Sequence, residues 1–152
     1  MGAALHVYGW THRADLTLAS SASTKTCKRY FESWVRGIAS RCQRPCYWFL
    51  AVERGALFRR RHMHALIATD PSIPTTSLET AWRHGLSWVR KYSSERQARY
   101  VVKDFFDEEF DYDFSSNFRK WAERERRMSA KSQGRTTNGG QRETPTHRWK
   151  RP

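Results

Sequence analysis

Two runs rich in aromatic and branched residues, 46–53 (Cys-Tyr-Trp-Phe-Leu-Ala-Val-Glu) and 60–69 (Arg-Arg-His-Met-His-Ala-Leu-Ile-Ala-Thr), flank a short Arg-Gly-Ala-Leu-Phe segment. Each run has the length of a buried strand and is too short for a typical helix. The glycine between them suits a turn, so the pair predicts an antiparallel hairpin centred near Leu57. A hairpin alone is marginal in water and needs further strands or a helix against it. The flanking sequence supplies both. Residues 15–20 alternate as a strand, with Leu16 and Leu18 on one face. After a polar turn, Cys27, Tyr30, Phe31, Trp34, Val35 and Ile38 form one apolar helical stripe, closed by Gly37 and Pro45. Thr76-Ser-Leu-Glu79 has the form of a capping box and opens a short helix that stops at Gly85. Residues 86–92 read as a strand, and Ser94-Glu-Arg-Gln97 opens a helix running to Phe105 or Phe106. The order β, α, β-turn-β, α, β, α predicts an α+β domain with a mainly antiparallel central sheet and helices packed on it.

The hairpin also carries the first chemistry. In a strand, residues i and i+2 leave from one face, so His62 and His64 point together while Met63 turns into a core. Two neutral imidazoles on one face make half of a divalent-metal site. Pairing about Leu57 brings Glu53 close to both. The next helix offers a second pair. At 100° per residue, Ala98, Val101, Val102 and Phe105 form the core-facing stripe, while Tyr100 and Lys103 lie opposite it, about 60° apart. A packing tyrosine belongs in the stripe; this one stands outside it, beside a lysine whose charge favours the phenolate. Tyrosine is a weak nucleophile at its free pKa of about 10 and needs such help.

Composition narrows the partner. Lys and Arg number 28 against 15 Asp and Glu, a formal charge of +13, with seven Trp, eight Phe and six Tyr. That balance points to nucleic acid over a small neutral substrate. No apolar run spans a membrane, no secretory signal opens the chain, and His6 spoils a myristoylation context for Gly2, so a cytosolic location is the expectation. Cys27, Cys42 and Cys46 are too few for a disulfide framework, and Cys42-x-x-x-Cys46 lacks the second pair of a zinc site. An acidic stretch (Asp104, Asp107, Glu108, Glu109, Asp111, Asp113) reads as solvated surface. Beyond Asn117, Lys and Arg exceed Glu by eight; Phe118 and Trp121 dock a short helix, and the polar chain from Ser129 is expected to be disordered.

His62-Met63-His64 followed by Tyr100-Val-Val-Lys103 resembles the signature of the single-tyrosine replication initiators (Rep proteins) of the HUH endonuclease superfamily: His-hydrophobic-His on a central strand, then Tyr-x-x-Lys on a helix. Glu53 stands where many of those proteins hold a carboxylate ligand. Trp82-x-x-Gly85 and Ala98-Arg-Tyr-Val agree, and the likeness covers about residues 15 to 106. The order separates the chain from conjugative relaxases, whose tyrosine precedes the histidines.

The resemblance implies an HUH/Rep-type nuclease domain over residues 1–128 and a basic tail over 129–152. It implies a metal-dependent, site-specific nickase and strand transferase of single-stranded DNA that initiates rolling-circle replication. Tyr100 is then the nucleophile forming a 5′-phosphotyrosyl link, with Lys103 supporting it. Glu53, His62 and His64 hold Mn²⁺ or Mg²⁺. Arg59, Arg60, Arg61 and Arg96 are the candidate DNA contacts, and alternation puts Arg60 on the face of His62. The partners implied are single-stranded origin or hairpin DNA and a separate helicase and polymerase. The alternatives are a catalytically inactive Rep-like DNA-binding protein and a single-tyrosine transposase using the same chemistry. Iron oxygenases and cupin-type barrels also use two His and a carboxylate, but their His-x-His is followed within a few residues by Glu, and 65–69 holds none.

Overall fold

The structure, a computed structural model, describes residues 2–54, 61–103 and 110–134. In chain order the elements are α1 (Gly2–His6), β1 (His12–Thr17), α2 (Thr24–Cys42), β2 (Tyr47–Arg54), β3 (Arg61–Ala68), α3 (Thr75–Ala81), β4 (Ser87–Lys91), α4 (Glu95–Val101), β5 (Asp111–Phe114) and α5 (Phe118–Gly134). The strands form one sheet in the order β4-β1-β3-β2-β5, with every neighbouring pair antiparallel. This is the α+β architecture expected, with the histidine strand at the centre. The hairpin register pairs Glu53 with His62 as expected, while the expected turn residues 55–58 lie outside the described residues.

Alternation along the strands divides the sheet into two faces. Leu16, Leu50, Val52, Met63, Ala65 and Ile67 project from one and are buried beneath α2, whose Cys27, Phe31, Trp34, Val35 and Ile38 pack down on them. Burying a side chain such as Phe31 or Ile38 stabilises the fold by about 1.5–3 kcal/mol. The Ser23 hydroxyl caps α2 by accepting from the Thr26 N–H at 3.2 Å. The helix runs through Gly37 and ends at Gln43, whose left-handed φ of 51° turns the chain back. Tyr30, at the margin of the stripe, stacks on His84 at 3.9 Å. Gly85 is required where α3 returns to β4, because a Cβ there would run into the Thr17 carbonyl at the end of β1.

The other face is apolar over only part of its area. Phe49, Ala51, Leu66 and Ala68 are covered by Leu5, Trp10, Ala98, Val101 and Trp121, from α1, the segment after it, α4 and α5. The rest of that face carries polar side chains and forms the floor of a cleft.

Five elements differ from the expectations. β1 begins three residues earlier, at His12. α4 ends at Val101, with Val102 and Lys103 in the following turn; Phe105 lies outside the described residues. Neither capping box closes. Glu79 instead accepts from the Val89 N–H at 2.7 Å, tying α3 to β4. Gln97 accepts from the Ser93 N–H at 2.9 Å, and Ser94 makes no side-chain cap. β5 lies within the acidic stretch, where Asp111 and Asp113 pair with Lys28 of α2 at 3.0 and 3.5 Å. α5 continues to Gly134, and the tail beyond it lies outside the described residues. Among the described residues, no helix is long and apolar enough to cross a membrane, and the three cysteines are free.

Candidate active site

Met63 is fully buried in the α2 core, which fixes His62 and His64 on the cleft face. His64 is 5% exposed and sits between two carboxylates. Its Nδ1 is 2.6 Å from Asp15 Oδ1, and its Nε2 is 2.6 Å from Glu53 Oε1. Both ring nitrogens therefore face acceptors, an arrangement that suits the imidazolium. Burial alone would lower the His64 pKa, but the hydrogen bonds and charges of Asp15 and Glu53 outweigh it, and the net shift is upward. Asp15 mirrors this. Burial pushes its carboxyl up, while the His64 hydrogen bond and the Arg13 guanidinium bring it below the ordinary value.

Tyr100 and Lys103 reach the same cleft from α4 and its exit turn. The Lys103 N–H donates to the Tyr100 carbonyl at 3.3 Å, which keeps the two together although the helix has ended. The Lys103 ammonium grips both Glu53 oxygens at 2.9 and 2.8 Å and lies 5.3 Å from the centre of the Tyr100 ring. The Tyr100 ring stands edge-on to His64, with centroids 5.3 Å apart. Its 41% exposure leaves the side chain accessible from the cleft, which measures about 900 Å³.

Sequence reading missed Asp15 and Arg13 as members of the site. The Arg13 guanidinium bonds Asp15 at 2.5 Å and covers the Tyr100 ring at 4.0 Å. It is only 9% exposed, and its Nε has no hydrogen-bond partner among the described residues. The available signal was the alternation of β1 itself. With Leu16 in the core, residues 13 and 15 must share the other face. Of the expected DNA contacts, Arg96 lines the cleft. Arg61 leaves β3 on the Met63 face, close enough to Cys27 of α2 for its charge to act on that thiol, so it is not in the cleft. Arg59 and Arg60 lie outside the described residues.

For a divalent cation the donor set fits in chemistry: two imidazoles and a carboxylate on adjacent positions of one sheet face, with a second carboxylate behind. It is not preassembled. Among the described residues, no three His, Cys, Asp or Glu side chains are spaced to hold an ion. Glu53 and His64 are turned on one another across a shared proton, and Lys103 holds the carboxylate from the other side.

The fold and the cleft thus define a basic α+β protein whose histidines, carboxylates, tyrosine and lysine converge on one face of an antiparallel sheet. Residues 10–109 match the family model for replication-associated protein ORF2/G2P, and the chain belongs to that family. The matched stretch contains every side chain of the cleft discussed above. No curated protein matches the chain.

Proposed function

We propose that the protein is a metal-dependent nickase and strand transferase of single-stranded DNA that starts rolling-circle replication through a covalent Tyr100–DNA link. The observation that carries this reading is the convergence of Tyr100 and Lys103 with His64 and Glu53 in one cleft. Four structural histidines and acids need no exposed tyrosine over them. A phosphodiester transesterification through a protein nucleophile does.

In this mechanism the Tyr100 oxygen attacks the scissile phosphorus. The new O–P bond leaves a 5′-phosphotyrosyl ester, the bond to the 3′-oxygen breaks, and that oxygen leaves as a 3′-hydroxyl after taking up a proton. The phenolic proton is lost in the same step, so proton number is conserved. Lys103 offsets the charge that builds on the phenolic oxygen, and Glu53 anchors its ammonium. Arg13 fixes the plane of the tyrosine ring, and Asp15 sets the orientation of the His64 imidazole. Glu53, His62 and His64 would hold Mg²⁺ or Mn²⁺, which supplies Lewis-acid charge at the phosphate when bound. One phosphoester is exchanged for another, so a 3′-hydroxyl can reverse the step and reseal the strand. A helicase and a polymerase are the complementary partners.

The test is a denaturing gel of the protein with a degenerate single-stranded DNA pool, in Mn²⁺ and in EDTA, for wild type and Tyr100→Phe. A metal-dependent shifted band that survives denaturation is expected in wild type and is absent from Tyr100→Phe. DNA binding without any adduct would replace the nickase reading with that of a binding protein.

A further inference from the structure

The edge strand β4 carries a feature that the proposed reaction does not use. Val89 points into the α2 core, so Trp88 and Arg90 point to the cleft face. Trp88 is 58% exposed, and its neighbour on that face, Leu86, is 78% exposed. The Arg90 guanidinium lies 3.7 Å from the Trp88 ring centre, covering one side of the indole and restricting it to one orientation. The register places this tryptophan in the same row as His64: Asp15 of β1 pairs with His64 on one side and with Trp88 on the other. His64, Asp15 and Trp88 thus form one line across three strands, about 10 Å from end to end at the usual strand spacing. Both ends of the line border the same cleft, together with Arg13, Arg90 and Arg96.

We propose that Trp88, backed by Arg90, is a stacking seat for one unpaired base of the DNA strand lying next to the scissile phosphate. The proposal rests on reading the cleft as a DNA site, and it adds a subsite to it. An indole held from one side by a cation presents a flat π surface with little side-chain freedom left to lose, and every nucleobase has a matching face. Bases within a duplex already stack on their neighbours and offer only their edges in the grooves. The seat therefore selects single-stranded over double-stranded DNA without reading sequence. The surrounding arginines favour the phosphates on either side of the stacked base.

The experiment measures binding of a fluorescein-labelled single-stranded 20-mer in EDTA by anisotropy, with wild type, Trp88→Ala and Trp88→Phe. Stacking of one base corresponds to roughly a tenfold loss of affinity on removal of the indole. Trp88→Ala is expected to bind about tenfold more weakly, Trp88→Phe to recover most of that loss, and a duplex of the same sequence to bind all three alike. A second measurement compares the 20-mer with an abasic strand of equal length and charge, for wild type and Trp88→Ala. Loss of the bases is expected to weaken wild-type binding by about tenfold more than it weakens Trp88→Ala. Unchanged binding by Trp88→Ala, or a loss on removing the bases that is the same for both proteins, overturns the proposal. Adduct formation by Tyr100 on the same oligonucleotides is read separately. Base stacking without an adduct keeps the seat and removes the nickase reading, and an adduct indifferent to Trp88 does the reverse.

Discussion

Two buried histidines, on opposite faces of the same sheet, are held in opposite ways. His12 is fully buried and His64 nearly so. The Thr11 hydroxyl donates to the Ile67 carbonyl at 3.0 Å, so its oxygen accepts from His12 Nδ1–H at 2.8 Å. His12 Nε2 then accepts from the Lys91 ammonium at 3.0 Å, and Lys91 also binds the carbonyls of Pro71 and Ile73. Burial lowers the His12 pKa, the Ile73 carbonyl opposes this, and the Lys91 charge lowers it further; the net shift is downward and favours the neutral imidazole. It ties the 70–74 segment to β1. His64 has anions where His12 has a cation, and an open cleft beside it. Burial is common to both. The sign of the partners and the access to solvent separate a histidine that serves the fold from one placed where the proposed chemistry would need it.

The comparison breaks most sharply under substitution. His64→Ala is expected to reduce adduct formation by more than the roughly 10–100-fold that follows loss of a supporting group around a metal ligand. The fold is expected to survive, because Asp15 retains Arg13 and Glu53 retains Lys103. Quantitative gel assays beside thermal melts check both halves; a variant that unfolds would make His64 a structural residue after all. Asp15→Asn is the next step down. It keeps an oxygen for His64 Nδ1–H but removes the charge, and should raise the Mn²⁺ concentration for half-maximal adduct by about 10–100-fold. An unchanged metal dependence would remove Asp15 from the site.

How much of this was legible beforehand depends on where the information lay. The hairpin, the α2 stripe and the placement of His62, His64 and Glu53 follow from periods of two and 3.6 that the packing then enforces. Asp15 and Arg13 are hidden because the alternation of polar and apolar residues is visible only from Asp15 onward, while β1 begins at His12. β5 was hidden by composition. Asp111 and Asp113 look solvated, yet they alternate with Tyr112 and Phe114, and Phe114 packs edge-on to Phe49 at 4.9 Å. Their charge is met by Lys28, far away in sequence. α1 has too few residues for a periodic signal; its place is set by tertiary contacts, such as His6 Nδ1 with the Tyr92 hydroxyl at 2.8 Å.

The smallest effect is the most direct test of the other histidine. His12→Ala removes the Lys91 acceptor and is expected to cost about 1–3 kcal/mol of stability, with adduct formation unchanged under conditions where the protein is folded. Its pH dependence has a definite sign. The folded-state pKa lies below the unfolded value of 6.5, so between those two values the unfolded chain binds a proton that the folded chain refuses. The contribution of His12 is therefore complete above pH 6.5 and is lost as pH falls through that window. The other charged groups at this corner are Lys91, which opposes protonation, Asp70, held below its ordinary value first by its hydrogen bonds to Ser72, and Arg44, 3.7 Å from Asp70. Asp70 remains ionised throughout the window and cannot supply the slope. Melting temperatures from pH 8 down to pH 5, in EDTA, should fall more steeply for wild type than for His12→Ala. Parallel curves would mean that Lys91 does not keep His12 neutral, and the contrast with His64 would rest on access to the cleft alone.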